Sequence, residues 1–312
     1  MLIVRLRPIL IFAIATFAAW LGVCGAIGVL AVEGALHLPH LALTAKDRDR
    51  AAEMARRDGA ILAEAEFTAK DGAVLRAWSV RPRTANGSAV ILLHGQADNR
   101  AGMLGPAEML LRHGYSVLLP DARGHGESGG AITTYGVLEA DDIRRWFEWI
   151  QKSESPHCID GLGDSMGGAE LLRSLDAERG FCAVIAESPF ATFREAAYDR
   201  LGQQFDRGPW LARTLLRPAF DAGLVYARYR YGVDLETADP SRAVAASAVP
   251  VMLIHGLADS NLPVRHSEMI KAASPRVVLW EPQFADHCGA STAQPKEYEL
   301  RVVGWLDQHQ KQ

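Results

Sequence analysis

Cys158-Ile159-Asp160-Gly161-Leu162-Gly163-Asp164-Ser165-Met166-Gly167-Gly168 is a short apolar run leading into Gly-Asp-Ser-Met-Gly, and a helix-forming run, Ala169 to Leu175, follows. This is the Gly-x-Ser-x-Gly pattern in the setting it requires, a strand that turns sharply into a helix. The flanking glycines have a steric reason, because side chains beside a serine held in a strained turn would collide with the neighbouring strand and helix. Strain lifts the Ser165 hydroxyl above the sheet edge, where a base and a substrate both reach it.

Outward from this turn the chain alternates strands and helices. Glu64 to Pro82 reads as two strands around the hairpin dipeptide Asp71-Gly72. Ser88 to Leu93 is a continuous apolar run, which suits a strand buried on both faces. A helix from about Arg100 to His113, a strand from Ser116 to Leu119, a glycine-rich loop from Asp121 to Gly130 and an amphipathic helix from Leu138 to Gln151 come next. Beyond the serine lie a strand from Phe181 to Ala186, an aromatic- and arginine-rich insertion at about 189–244 built of two or three helices, and a resumed alternation. Its members are Val251 to His255, Arg265 to Ala273, Arg276 to Trp280 and Pro295 to His309. Such alternation predicts an α/β fold with a doubly wound, mostly parallel sheet, and ligands at the carboxyl ends of its strands.

A serine hydroxyl is a weak nucleophile, so acyl transfer needs a histidine base, an orienting carboxylate and donors for the oxyanion. Downstream of Ser165, Asp259 follows a buried strand end in His255-Gly256-Leu257-Ala258-Asp259, and His287 sits in the loop after the next strand. The order Ser, Asp, His is the one this strand-turn-helix setting uses. Asp286 and Glu187 are rival carboxylates, although Asp286 points away from the ring of its own neighbour. His94 and His255 each precede a glycine at a strand end and read as structural hydrogen-bonders. His125 has either a positioning role or none. Cys288, beside His287, is not favoured as a nucleophile because adjacent side chains diverge.

These blocks resemble the α/β-hydrolases, and are most similar to serine hydrolases grouped with bacterial carboxylesterases, monoacylglycerol lipase-like enzymes and serine aminopeptidase-like proteins. The resemblance rests on Leu92-Leu93-His94-Gly95-Gln96, Asp121-Ala122-Arg123-Gly124-His125-Gly126-Glu127-Ser128, Gly163-Asp164-Ser165-Met166-Gly167-Gly168, and His255 to Asp259 with the later His287. It covers residues from about 64 to 310. It implies Ser165 as nucleophile, His287 as base, Asp259 as orienting acid, and the backbone N–H groups of Gln96 and Met166 as the oxyanion hole. The implied activity is cleavage of an ester or thioester through an acyl-enzyme. The alternatives are an amide hydrolase of the aminopeptidase type, with Glu195, Asp199 and Asp206 as candidates for holding a free amino terminus, and a catalytically inactive, membrane-tethered binding module. An aspartate at position 165, which dehalogenase chemistry needs, is missing. No metal or organic cofactor is implied.

Composition narrows the setting. With 49% hydrophobic and 22% charged residues in 312, the chain has globular usage. A net charge of -4 without a basic stripe argues against nucleic acid as a partner. Ile9 to Val32 carries no charge over about 24 residues and follows Arg5 and Arg7, which is long enough to cross a bilayer. Residues 1–35 are therefore expected to be a single-pass anchor, residues 36–63 a helical charged linker, and residues 64–312 the catalytic domain, placed outside the cytoplasm. A cleaved signal peptide is the rival reading, although its apolar stretch is normally shorter. Cys158 and Cys182 start two strands that neighbour each other in this fold. They are spaced for a disulfide in an oxidising compartment, or are two buried thiols.

Overall fold

The computed structural model describes residues 2–39, 41–204 and 208–310. Phe205 and Asp206, and the side chains of Arg5 and Arg7, lie outside the described residues. In chain order the elements are α1 (Leu2–Leu36), α2 (Ala45–Arg57), β1 (Ile61–Thr68), β2 (Val74–Arg81), β3 (Ser88–Leu93), α3 (Leu104–Arg112), β4 (Ser116–Pro120) and α4 (Glu139–Ser153). There follow β5 (Cys158–Asp164), α5 (Met166–Ser174), β6 (Val184–Glu187), α6 (Phe193–Gln204), α7 (Trp210–Arg213), α8 (Arg217–Tyr231) and α9 (Pro240–Ala246). The chain closes with β7 (Val251–Ile254), α10 (Arg265–Ala273), β8 (Val277–Trp280), α11 (Ala290–Ala293) and α12 (Pro295–Gln308).

Two compact units result. One comprises Met1–Leu36 with Ala197–Glu236, the other His37–Ala196 with Thr237–Gln312.

The larger unit is built on an eight-stranded sheet of order β1-β2-β4-β3-β5-β6-β7-β8. β1 and β2 form the antiparallel hairpin at one edge, and β4, β3 and β5 to β8 pair in parallel. Gly72 makes the hairpin turn possible, because its φ of 86° is open to glycine and costly for other residues. Along β3 the side chains alternate between two cores: Ala89, Ile91 and Leu93 join Ile143 and Trp146 of α4 on one face, and Val90 and Leu92 join Leu110 of α3 and Leu306 of α12 on the other. Period-two alternation in a fully buried strand thus feeds two helical layers.

Three boundaries differ from the sequence reading, each for a local reason. The helix expected from Arg100 begins with a 3₁₀ turn, Arg100–Met103, because Pro106 has no amide hydrogen to return to the Gly102 carbonyl. β6 starts at Val184, since the Asp160 carboxylate takes the Ala183 amide at 2.9 Å that a longer ladder would use. Part of the segment expected as a linker enters the core: α2, capped by Thr44 and Asp47 in a reciprocal box, buries Ala51 and Met54 beside Trp78.

Cys158 and Cys182 are joined by a disulfide across the starts of β5 and the lead-in to β6. Asp160 lies between them in sequence, fully buried, and its second carboxylate oxygen has no hydrogen-bond partner among the described residues. Burial pushes its pKa up to about 7, against the Ala183 hydrogen bond and with repulsion from Asp307. A carboxyl whose folded pKa exceeds its unfolded value binds its proton more tightly when folded, so its contribution to stability falls as pH rises from about 4 to about 7. Asp160→Asn is therefore expected to shrink the loss of melting temperature between pH 5 and pH 8, measured by thermal unfolding at both pH values; an unchanged pH slope contradicts this.

Candidate active site

β5 ends at Asp164 and α5 begins at Met166, which leaves Ser165 alone in the turn. Its backbone sits at φ 51° and ψ -112°, a conformation that costs a non-glycine residue about 1–3 kcal/mol. The surroundings over-determine it. The Ser165 amide donates to the Glu187 carbonyl at 2.7 Å, tying the turn to β6. A Cβ on Gly163 would stand 2.6 Å from the Gly167 carbonyl oxygen, and one on Gly167 would stand 2.5 Å from that of His94. Only glycine fits either place, so the turn is pressed against the loop after β3.

The structure brings Ser165, His287 and Asp259 into one hydrogen-bonded chain. Ser165 Oγ lies 2.8 Å from His287 Nε2, and His287 Nδ1 lies 2.8 Å from Asp259 Oδ2. A carboxylate oxygen only accepts, so Nδ1 carries the ring proton and Nε2 is left to accept from the serine hydroxyl. Asp259 Oδ1 accepts from the amides of Asn261 and Leu262 at 2.9 and 2.7 Å. Burial opposes its charge. Hydrogen bonds from His255, His287 and the Leu262 amide outweigh that burial and hold the carboxyl well below the usual carboxylate range.

The rival carboxylates are otherwise engaged. Asp286 accepts from the amide and hydroxyl of Ser260 at 2.9 and 3.0 Å and from the His287 backbone amide at 2.8 Å, whereas the imidazole itself bonds Asp259. Glu187 is buried and accepts from the Ala290 amide at 2.9 Å. Burial drives its pKa up to about 7. Asp164, its register partner, is pushed well above the ordinary aspartate value by burial and by Glu187 and Asp98. The Cys288 thiol donates to the Glu187 carbonyl, and burial raises its pKa well above normal, which leaves it a poor nucleophile.

Met166 is the first residue of α5, and Gln96 lies in the turn after β3. Among the described residues neither amide N–H donates to a protein acceptor. The loop carrying Gln96 is rigged by two buried imidazoles. His94 Nδ1 faces the Gly95 carbonyl at 2.8 Å and its Nε2 faces the Ala122 amide at 3.0 Å. His125 Nδ1 faces the Arg123 carbonyl at 3.0 Å and its Nε2 faces the Ala97 amide at 3.3 Å. Each ring donates to a carbonyl through Nδ1 and accepts an amide through Nε2, so each is fixed as one neutral tautomer. For His94, burial reinforces this by lowering its pKa.

Two residues carry more than their sequence context revealed. His255, read as a structural hydrogen-bonder, is fully buried and sets its Nε2 at 2.9 Å from the Leu262 carbonyl and 3.2 Å from Asp259 Oδ2. It therefore braces the same carboxylate oxygen that His287 Nδ1 reaches. His125, for which a positioning role stood open, holds the backbone one residue beyond Gln96. The signal for both was weak: a histidine beside a glycine at a strand end or in a glycine-rich loop.

A family model described as serine aminopeptidase, S33, matches residues 84–217, a stretch that includes Ser165 and stops before Asp259 and His287. The uncharacterized protein YqkD of Bacillus subtilis is 27% identical over 223 residues, 70% of each chain. Among solved structures, the esterase Pf2001 of Pyrococcus furiosus is similar with a TM-score of 0.67 at 24% identity, over 88% of this chain and 98% of its own. The acylaminoacyl peptidase of Pyrococcus horikoshii is similar with a TM-score of 0.58 at 18% identity, over 80% of this chain and 41% of its own. These likenesses, with the sheet order, establish the α/β-hydrolase fold.

The close packing at Gly167 has a measurable consequence. Gly167→Ala forces a methyl against two backbone carbonyls, of Leu93 and His94, and is expected to lower stability by about 2–3 kcal/mol in chemical denaturation. A change within error would show that the loop after β3 yields freely.

Proposed function

We propose that this chain, an α/β-hydrolase, is a serine hydrolase that cleaves a carboxylic ester or thioester with an apolar acyl group. The observation that carries the reading is the continuous hydrogen-bond chain from Ser165 Oγ through His287 to Asp259.

In this reading Ser165 Oγ attacks the substrate carbonyl carbon while His287 Nε2 takes the hydroxyl proton. The carbonyl oxygen becomes an oxyanion and accepts from the amides of Met166 and Gln96, the first of which lies at the positive end of the α5 dipole. As the bond to the leaving oxygen or sulfur breaks, His287 returns the proton to it, and an acyl group remains on Ser165. Water then attacks the acyl carbon with His287 as base, which releases the carboxylic acid and restores the serine. Asp259 keeps its charge throughout. It fixes the imidazole tautomer and stabilises the imidazolium formed at each proton transfer. His255, His94 and His125 hold the acid and the oxyanion loop in place. Apart from the water that hydrolyses the acyl-enzyme, these steps draw on side chains and backbone amides of this chain.

Amide cleavage is the second reading, favoured by the serine aminopeptidase family match. One contact weighs against it: Glu195, a candidate for holding a free amino terminus, has its carboxylate 2.9 Å from Arg265. α1 contains Pro8–Leu36, a stretch long and apolar enough to cross a membrane. We read it as a single-pass anchor, with the hydrolase unit outside the cytoplasm, where the Cys158–Cys182 disulfide is stable.

Ser165→Ala is expected to abolish fluorophosphonate labelling and to lower turnover of acyl esters by at least about 10⁴-fold, and Asp259→Asn by about 10⁴-fold. Full activity in Ser165→Ala would end the reading. A panel of matched esters and aminoacyl amides should give the higher kcat/KM on the esters; the opposite order selects the peptidase. His125→Ala is expected to lower kcat by about 10–100-fold with KM little changed, since it frees the loop that carries Gln96.

A further inference from the structure

The smaller unit joins α1 to the α8 segment of the insertion, elements nearly 200 residues apart. They meet through residues with little or no side chain. A Cβ on Gly28 would collide with the Ala219 carbonyl oxygen, and one on Gly223 would stand 2.8 Å from that of Gly28. The buried face of α1 recurs every four residues, at Cys24, Gly28, Val32 and Leu36, so the two backbones approach as closely as helices in a membrane do. A polar lock closes the far end. The Glu33 carboxylate accepts from the hydroxyls of Tyr226 and Tyr231 at 2.6 and 2.7 Å.

The remaining faces of α1 expose Ile9, Phe12, Phe17 and Val23. From Ile9 to Ile27 a helix rises about 28 Å, close to the thickness of a bilayer's hydrocarbon core. Gly28, and with it the α8 contact, then stands at the bilayer surface. The surface of the same unit has the composition of that layer. Trp210, Leu215, Val225 and Tyr229 are exposed, Tyr229 at 91%. Between Trp210 and Tyr231 there are four arginines, Arg213, Arg217, Arg228 and Arg230, against one aspartate, Asp221; Arg217 pairs with Asp221 and Arg228 with Asp234, which leaves the segment with a net positive charge. Tryptophan and tyrosine settle at the level of lipid headgroups, and arginines pair with phosphates there.

We propose that α1 and α8 form a permanent membrane-interface module. α1 stays attached to the mature protein, and the stretch from Trp210 to Tyr231 rests in the headgroup layer of the bilayer that α1 enters, with its net positive charge toward the lipid phosphates. Removing α1 would bare the small-residue face of α8 and leave two tyrosine hydroxyls without Glu33. A hydrolase tethered in this way meets esters that partition into the membrane at far higher local concentration than soluble ones.

The proposal rests on reading α1 as a span, and the test separates the two. The full-length protein is reconstituted into vesicles of phosphatidylcholine with phosphatidylglycerol, floated on a gradient, and read by tryptophan emission with brominated acyl chains as quencher. The mass of the protein purified from membranes is measured as well. The expected result is flotation, an intact mass that includes α1, and a quenchable emission that falls by about half in Trp210→Phe, the remainder coming from Trp20 in the span. Trp280→Phe, in β8 of the other unit, should leave the quenchable emission unchanged. Flotation with no effect of Trp210→Phe overturns the interface module and leaves the anchor standing. A mature chain that lacks the residues up to Gly28, or a failure to float, overturns both.

Discussion

Ser165 holds a backbone conformation it would not choose, at φ 51°, and the rest of the larger unit keeps it there. β6 tethers the turn through the Glu187 carbonyl, and the loop after β3 closes on it so tightly that positions 163 and 167 admit no side chain. The gain is directional. A serine on a regular strand would point into a helical layer, whereas one on this turn stands clear of the sheet with a helix N-terminus behind it. The strain is supported by two hydrophobic cores on opposite faces of the sheet, which is why a local distortion of about 1–3 kcal/mol persists in a marginally stable molecule.

Buried polar groups do the aiming. His94, His125 and His255 each use both ring nitrogens on backbone or side-chain partners, so each is locked in one tautomer and one orientation. His287 also uses both ring nitrogens, on Asp259 and on the Ser165 hydroxyl, but its hydroxyl partner sits on the strained turn between β5 and α5 rather than inside a helical layer. Carboxylates divide likewise. Asp259 receives enough donors to stay charged, while Asp164 and Glu187, short of donors, are driven upward by burial. Environment assigns different charge states to carboxylates of the same sheet edge.

The insertion is shared between the two units. α9 returns to the hydrolase body, packing on α5 and α10, so the part that separates is shorter than the break in alternation suggests: it ends at Glu236 and is completed by α1. Helix pairing of this kind needs no apolar stripe of large residues, only close backbone approach, and small residues provide it.

Much was legible in the sequence. Alternating apolar runs and turn residues determined the order of strands and helices, because period and breakers are local properties of the chain. The pattern around Ser165 determined the strand-turn-helix, since glycine at 163 and 167 has few other uses so close together. What tertiary structure alone decided is which groups meet. Ser165 and His287 are 122 residues apart and Asp259 and His287 are 28 apart, with no periodic signal across either gap. Asp259 rather than Asp286 or Glu187 faces the imidazole because of where β7 and β8 end. His125 reaches Ala97, and Gly28 reaches Gly223, because the sheet and the helices bring them there. Contacts over such separations are set by packing of the whole chain, and a single sequence carries no local trace of them.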